Sequence, residues 1–67
     1  PNPSTGQFTV HSAADYLEVF TLDGRLLQTH DLRNQGAIFE FTIQQKGLFL
    51  CVFHGAGQVD CQRVVVE

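Results

Sequence analysis

Apolar and polar side chains alternate along most of this chain with a period of two residues. The alternation is clearest where Phe39, Phe41 and Ile43 are separated by Glu40 and Thr42. A period of two places one face of a strand on a core and the other in water. The residues in these runs are mainly β-branched or aromatic, as strands prefer. The pattern predicts six strands, at about 7–11, 16–22, 25–30, 37–43, 48–54 and 58–66.

Short polar segments that contain glycine separate these predicted strands. Asp23-Gly24 lies between two apolar runs and indicates a hairpin turn, because both residue types tolerate a positive φ. Segments 33–36 and 44–47 are polar and end in glycine, so they predict loops. The Gly-Ala-Gly segment 55–57 predicts a three-residue link between the last two strands. Together these features predict an all-β fold, a small immunoglobulin-like antiparallel β-sandwich of about six to seven strands.

The predicted strand 48–54 is apolar on both faces. Its two faces are Leu48, Leu50 and Val52, and Phe49, Cys51 and Phe53. A strand of this kind is expected at the centre of a sheet. Two interpretations of its second face are open. It is either a partly exposed face of a middle strand, or a docking surface that an upstream domain or a partner covers.

Composition limits the size and the class of the protein. The chain has 67 residues, of which 43% are hydrophobic, so it is long enough for one small domain. Its net charge is −3 and only four side chains are Lys or Arg, which argues against nucleic acid as a partner. No apolar run approaches the roughly 18 residues of a membrane-spanning helix, and no signal peptide is apparent. The chain contains no Met and begins Pro1-Asn2-Pro3, so we expect residues 1–67 to be a single domain excised from a longer protein.

The two cysteines fall on the last two predicted strands, where their pairing depends on the register. If segment 55–57 is a three-residue loop, Cys51 lies directly opposite Cys61, with Cα atoms about 4.5–5.5 Å apart. That separation allows a disulfide, which the oxidising conditions around a secreted protein would favour. A register shifted by one residue would place the two thiols on opposite faces and forbid the bond. Both outcomes are open: a disulfide, or two free thiols that pack as small apolar side chains.

Side chains with catalytic or metal-binding chemistry are few and scattered. His11, His30 and His54 each fall near the end of a predicted strand, where a solvent-facing polar side chain is expected. No nucleophile–base pair, carboxylate pair or four-ligand zinc spacing is apparent, so we expect no catalytic site, no metal and no cofactor. In the register above, Arg63 lies opposite Phe49, either as a packed cation or as a charged contact for a receptor.

Four short strings carry the most specific signal in the chain. Each alone is weak, because Pro and Gly occur in the turns of any β protein. The strings are Pro1-Asn2-Pro3 with Gly6, Leu22-Asp23-Gly24-Arg25, Lys46-Gly47-Leu48-Phe49, and Arg63-Val64-Val65-Val66-Glu67. In their order and spacing they resemble the C-terminal sorting domain (the type A sorting domain) of the type IX secretion system of the Bacteroidetes. The resemblance covers essentially all 67 residues.

The resemblance implies an immunoglobulin-like, non-enzymatic secretion and sorting signal. Such a domain directs its cargo through the periplasm and across the outer membrane of a Gram-negative bacterium to the cell surface or medium. A sortase then commonly removes the domain and attaches the cargo to a surface lipopolysaccharide. The implied partners are the outer-membrane translocon and sortase proteins and the upstream cargo domain, without nucleic acid and without membrane insertion. The residues that the resemblance assigns to translocon recognition are Gly24, Arg25, Lys46, Gly47, Phe49, Arg63, Val64, Val65, Val66 and Glu67.

The chain departs from the family pattern at two positions. Phe49 stands where the family has Tyr, and Glu67 stands where the family often ends in Lys. The terminal β-branched strand suits binding by strand addition, and an unprotected strand edge also allows a weak or swapped homodimer. The alternative is an immunoglobulin-like accessory module that packs on a neighbouring domain or binds carbohydrate. Against carbohydrate, the chain has no Trp, and Tyr16 is its single Tyr.

Overall fold

The predicted strand pattern is present almost residue for residue in the three-dimensional structure. The computed structural model describes residues 6–11, 13–33 and 38–67. Within these ranges the chain forms six strands and no helix, which confirms the all-β prediction. The strands are β1 (Gln7–His11), β2 (Tyr16–Thr21), β3 (Leu26–Asp31), β4 (Ile38–Thr42), β5 (Gly47–Gly55) and β6 (Gln58–Val66). Each boundary lies within one residue of its predicted position.

The six strands form two antiparallel sheets that face each other as a β-sandwich. The larger sheet has the strand order β3-β2-β5-β6, and the smaller sheet pairs β1 with β4. β5 therefore lies between two neighbours, as its apolar character on both faces predicted. The inner face of the larger sheet packs on the smaller sheet, whereas no described strand packs on its outer face.

The core lies between the two sheets, and alternation along each strand determines which side chains reach it. Leu17 and Val19 of β2 are both fully buried, whereas Glu18 between them projects from the outer face. All the buried apolar residues except Val52, which lies on the outer face, form one cluster that draws on both sheets and on adjoining loops. The members of this cluster are Leu17, Val19, Leu32, Phe41, Ile43, Phe49, Cys51, Val64 and Val66.

Aromatic side chains stack within the smaller sheet, and a side-chain contact from β3 joins that sheet to the larger one. The ring of Phe41 stacks against that of Phe8, with centroids 5.3 Å apart, and against that of Phe39 at 6.2 Å. The side-chain amide of Gln28 on β3 donates a 2.8 Å hydrogen bond to the carbonyl of Thr42 on β4. These contacts place β4 over the β3 side of the larger sheet, so β1 lies towards β5 and β6.

The β2–β3 hairpin has its turn at Asp23-Gly24, as the sequence predicted, and its loop has three residues. The amide of Gly24 donates to the carbonyl of Thr21 at 3.0 Å, and the amide of Thr21 donates to the carbonyl of Arg25 at 2.9 Å. Gly24 has a φ of +90°, a conformation that glycine adopts without a steric penalty. Three-residue hairpin loops of this kind consist of a type I turn followed by a residue in the left-handed conformation, here Gly24. Segments 1–3 and 34–36 lie outside the described residues.

The β5–β6 hairpin differs from its prediction by one residue. Gly55 pairs with Gln58, so the loop is the two residues Ala56 and Gly57, both with a positive φ (52° and 76°), and not three. Gly55 is a strand residue that lies against the backbone of the segment before β2. A Cβ added to Gly55 would lie 3.0 Å from the Cα of Ala14. Alanine rarely adopts a positive φ, so the sequence carried no signal for this turn. Because the loop is one residue shorter than predicted, every cross-strand pair between β5 and β6 is shifted by one position from the predicted register.

Candidate recognition surface

Three of the four strings that carry the family resemblance meet at one end of the sandwich. Gly47 at the start of β5 pairs with Val66 at the end of β6. On the other side of β5, Phe49 pairs with Thr21, the last residue of β2, and the turn 22–25 follows directly. We call this end, formed by Gly6 with segments 22–25, 46–49 and 63–67, the motif end. Its members are distributed along the whole chain and are brought together by strand pairing.

The glycine of the first string belongs to the same end. The amide of Ile43 donates a 2.7 Å hydrogen bond to the carbonyl of Gly6. Gly6 has a φ of +100°, and a Cβ added there would lie 2.4 Å from the carbonyl oxygen of Ile43 and 3.5 Å from the side chain of Val66. A residue with a side chain would therefore displace the chain at the point where the first and last strings approach each other.

The turn at the motif end is held by its own side chains. The hydroxyl of Thr21 donates a hydrogen bond to the carboxylate of Asp23, and the amide of Arg25 donates to the same hydroxyl oxygen at 3.1 Å. The hydrogen bond from Thr21 lowers the pKa of Asp23. Asp23 thus has a local structural role, whereas the side chains of Leu22 and Arg25 project into solvent.

The motif-end residues divide into a buried set and an accessible set. Phe49, Val64 and Val66 are at most 5% exposed and belong to the core, so a partner cannot touch them without opening the fold. The accessible side chains among the predicted recognition residues are Arg25, Lys46, Arg63, Val65 and Glu67.

Positive charge is concentrated at the motif end although the chain is acidic overall. Arg25, Lys46 and Arg63 are three of the four Lys and Arg residues in the sequence. The fourth, Arg33, lies towards the opposite end, where its Nη2 is 2.8 Å from the Oδ2 of Asp31. Hydrogen bonds from Arg33 hold the pKa of Asp31 at about 2. The motif end also contains the acidic residues Asp23 and Glu67, so its three cations lie beside two carboxylates.

An apolar surface on the outer face of the larger sheet adjoins the motif end. The cross-strand register aligns Leu26, Phe20, Leu50 and Arg63 in one row, and Leu48 with Val65 in the next. We call Phe20, Leu26, Leu48, Leu50 and Val65 the outer patch. Leu26 is 48% exposed, and the other four are half-buried by their neighbours in the sheet. The outer patch is the second face of β5 that the sequence predicted to be either partly exposed or covered by a partner.

Further along the outer face, a polar pair lies among apolar side chains, of which Val52 is 9% exposed and Val59 is 59% exposed. The Nε2 of His54 lies 2.7 Å from the Oε1 of Glu18, and the ring of Tyr16 is 5.8 Å from that of His54. The side chain of His54 is 38% exposed on the outer face, in keeping with the expected solvent-facing polar side chain, and it pairs with this carboxylate.

The register excludes the Cys51–Cys61 disulfide within one chain. Cys51 pairs with Gln62 and is only 2% exposed on the inner face, whereas Cys61 pairs with Val52 and is exposed on the outer face. Both cysteines are free thiols. Burial raises the pKa of the Cys51 thiol to about 11, so it stays protonated and packs as a small apolar side chain.

The shifted register also corrects the placement of Arg63. This residue lies opposite Leu50 on the outer face, and not opposite Phe49 on the inner face. A cation packed on the Phe49 ring is therefore excluded. Arg63 instead extends the row of the outer patch and joins the apolar surface to the charged motif end.

His30 lies on the inner face and does not face solvent as expected. Its ring is 5.0 Å from Phe39 and 5.6 Å from Phe41, and its Nε2 is 2.8 Å from the Oε1 of Gln28. Burial lowers the pKa of His30. The sequence concealed this placement because a bulge in β3, at Leu27, interrupts the simple alternation along the strand.

Metal-binding groups and membrane-spanning helices are absent from the described ranges. No three His, Cys, Asp or Glu side chains in these ranges are grouped so that they could hold a metal ion. The same ranges contain no helix long and apolar enough to cross a membrane. No family model, curated protein or solved structure matches the chain. Inference of function therefore rests on the motif end and the outer patch.

Proposed function

We propose that this chain is a non-enzymatic, immunoglobulin-like sorting domain that directs the protein to which it belongs across the outer membrane by a type IX secretion system. The observation that supports this most is the convergence of Gly6 and segments 22–25, 46–49 and 63–67 at the motif end. Strings that are distant in sequence become one continuous surface, which a single translocon partner can contact.

The chemistry of that surface suits protein recognition. Arg25, Lys46 and Arg63 supply charge, which fixes orientation and accelerates encounter with an acidic partner. The adjoining outer patch supplies apolar area, which is the larger source of binding free energy. In this proposal the buried members of the strings, Phe49 and Val64 among them, maintain the fold and are not contacted directly.

The structure determines which variants can test the proposal. Deletion of segment 64–67 would remove Val64 and Val66 from the core, so loss of export would not distinguish unfolding from lost recognition. Arg63→Gln and Val65→Thr change outward-facing side chains of the same strand and leave the core unchanged. Arg33→Gln is the matched control, because it removes a cation at the opposite end.

The assay is export of a periplasmic reporter fused to residues 1–67 in a type IX-competent host. We expect the wild-type fusion and Arg33→Gln to reach the surface or medium, and the double variant Arg63→Gln/Val65→Thr to remain in the periplasm. Circular dichroism of the purified domains should show that all three are folded. A folded wild-type fusion that stays in the periplasm would refute the sorting function. Equal export of all three would refute recognition at the motif end.

The outer patch also supports a second candidate, an accessory module that packs on a neighbouring domain. Exposed apolar patches of this kind mark protein interfaces. In that case Leu26→Ser should separate the thermal unfolding of this domain from that of its neighbour in the longer protein. A sorting domain should unfold independently of its neighbour with or without the substitution.

A further inference from the structure

Within the described residues, the β1 edge of the smaller sheet has no neighbouring strand. In the described residues β1 pairs with β4 alone. The carbonyl of Gly6 accepts from the amide of Ile43, and hydrogen-bonded pairs alternate along an antiparallel ladder. Alternate residues of β1 must therefore direct their N–H and C=O groups away from β4. These residues are Gln7, Thr9 and His11.

A groove lies beside this edge, on the open side of the sandwich. It has a volume of about 230 Å³ and runs between β1 and the inner faces of β5 and β6. Apolar side chains from both sheets line it, among them Val10, Phe53 and Val64. The smaller sheet has only two strands facing a sheet of four, so the inner face of β6 lacks a covering strand in the described part of the chain. Gln62 and Asp60 of β6 are exposed there.

We propose that this groove binds an extended segment of a partner protein, which adds to the smaller sheet as a third strand beside β1. A row of outward N–H and C=O groups is complementary to another polypeptide backbone. The backbone groups of Gln7, Thr9 and His11 would pair with it, and its alternate side chains would enter the groove. The inference depends on the edge and the groove and does not rest on the sorting function.

The lining of the groove determines the side chains of the bound segment. Near Val64 and Phe53 the groove is apolar, so two alternate inward positions should be apolar. At the far end Asp60 and His11 line the adjoining cleft, and Asp60 is the acidic side chain among its described lining residues. The next inward position should therefore be Lys or Arg. The occupant is an extended segment with two alternating apolar residues followed by a basic one.

A synthetic peptide tests this inference directly. The probe is a short fluorescein-labelled peptide with valine, isoleucine and lysine at alternate positions and threonine between them, titrated with residues 1–67 and followed by fluorescence anisotropy. Thr9→Pro removes one outward N–H, and proline is tolerated at such an edge position because the ladder to β4 does not use that group. Thr9→Val is the matched control, since it changes the exposed side chain and retains the N–H.

We expect Thr9→Pro to weaken binding about tenfold, as loss of one backbone hydrogen bond does, and Thr9→Val to leave it within about twofold. A peptide whose amide nitrogens facing β1 are N-methylated should bind the wild-type domain as poorly as the unmethylated peptide binds Thr9→Pro. This second test uses the wild-type domain, so it remains valid if Thr9→Pro fails to fold. Asp60→Asn should weaken binding of the lysine peptide but not of its norleucine analogue.

Three results would overturn the inference. The first is absence of binding to the folded domain at millimolar peptide. The second is binding that neither Thr9→Pro nor N-methylation changes, which would place the peptide elsewhere. The third is a monomer–dimer equilibrium in sedimentation that Thr9→Pro abolishes, which would make a second copy of this chain the occupant.

Discussion

Truncation of one leucine on each face of the larger sheet should show that only one face is covered. Leu17 on β2 and Leu50 on β5 lie on adjacent central strands, but Leu17 is fully buried in the core and Leu50 is half-buried in the outer patch. The two substitutions, Leu17→Ala and Leu50→Ala, remove the same atoms. Their different costs therefore report the environment and not the residue type.

The expected costs follow from burial. Leu17→Ala loses a complete transfer free energy and leaves a cavity, which costs about 3 kcal/mol. Leu50→Ala loses about half of a leucine burial and leaves no enclosed cavity, which costs about 1 kcal/mol. A chain of 67 residues has a total stability of roughly 3–10 kcal/mol, so Leu17→Ala brings the domain close to unfolding and Leu50→Ala does not.

The assay is urea denaturation followed by far-ultraviolet circular dichroism, because the chain has no Trp for fluorescence. Both variants should unfold in one transition with unchanged slope and a lowered midpoint, and Leu17→Ala should have by far the lower midpoint. Equal losses of stability would mean that the outer face is packed as tightly as the inner one. The assignment of the outer patch as a surface for partners would then be wrong.

Two further predictions concern the β5–β6 hairpin and the partly buried His30. Ala56→Asn should stabilise the domain by about 1 kcal/mol, because asparagine tolerates the positive φ at this position better than alanine does. Gly55→Ala should destabilise the domain, because the added Cβ would lie 3.0 Å from the backbone of Ala14. Thermal unfolding of the two variants measures both effects. Burial lowers the pKa of His30 below its ordinary value of 6.5, so the stability linked to the neutral ring is present above about pH 6.5 and is lost as the pH falls through the lowered pKa. His30→Phe should reduce the loss of stability between about pH 7 and 5 in urea titrations, and an unchanged pH dependence would contradict this.

The strands could be predicted from the sequence because their signals are local. Alternation at Phe39 and Phe41 and the turn at Asp23-Gly24 depend on neighbouring residues alone. The β5–β6 register could not be predicted, because it depends on a contact between segments distant in sequence. The backbone at residue 14 lies so close to Gly55 that it leaves no room for a Cβ there. Without knowledge of this contact, the Gly-Ala-Gly segment predicts a three-residue turn. One residue of error moved Cys61 and Arg63 to the wrong face.

The candidate recognition residues could be named from the sequence, but their arrangement could not. The resemblance pointed to segments 22–25, 46–49 and 63–67. Their meeting at one end depends on the pairing of both β2 and β6 with β5, which local sequence patterns do not reveal. The groove beside β1 had no sequence signal at all. It results from the difference in width between the two sheets, which is a property of the whole topology.

The alternation of β6 limits how its terminal segment can act in recognition. Val64 and Val66 face the core, whereas Arg63 and Val65 face outward beside the outer patch. A partner that binds the folded domain can distinguish only the outward positions, and the inward positions affect recognition only through the fold. Under the proposed sorting function, substitution of Val64 should therefore reduce export and stability together, whereas substitution of Arg63 should reduce export with a smaller loss of stability. If export requires the strand to detach, this difference disappears, because the inward valines would then contact the partner too.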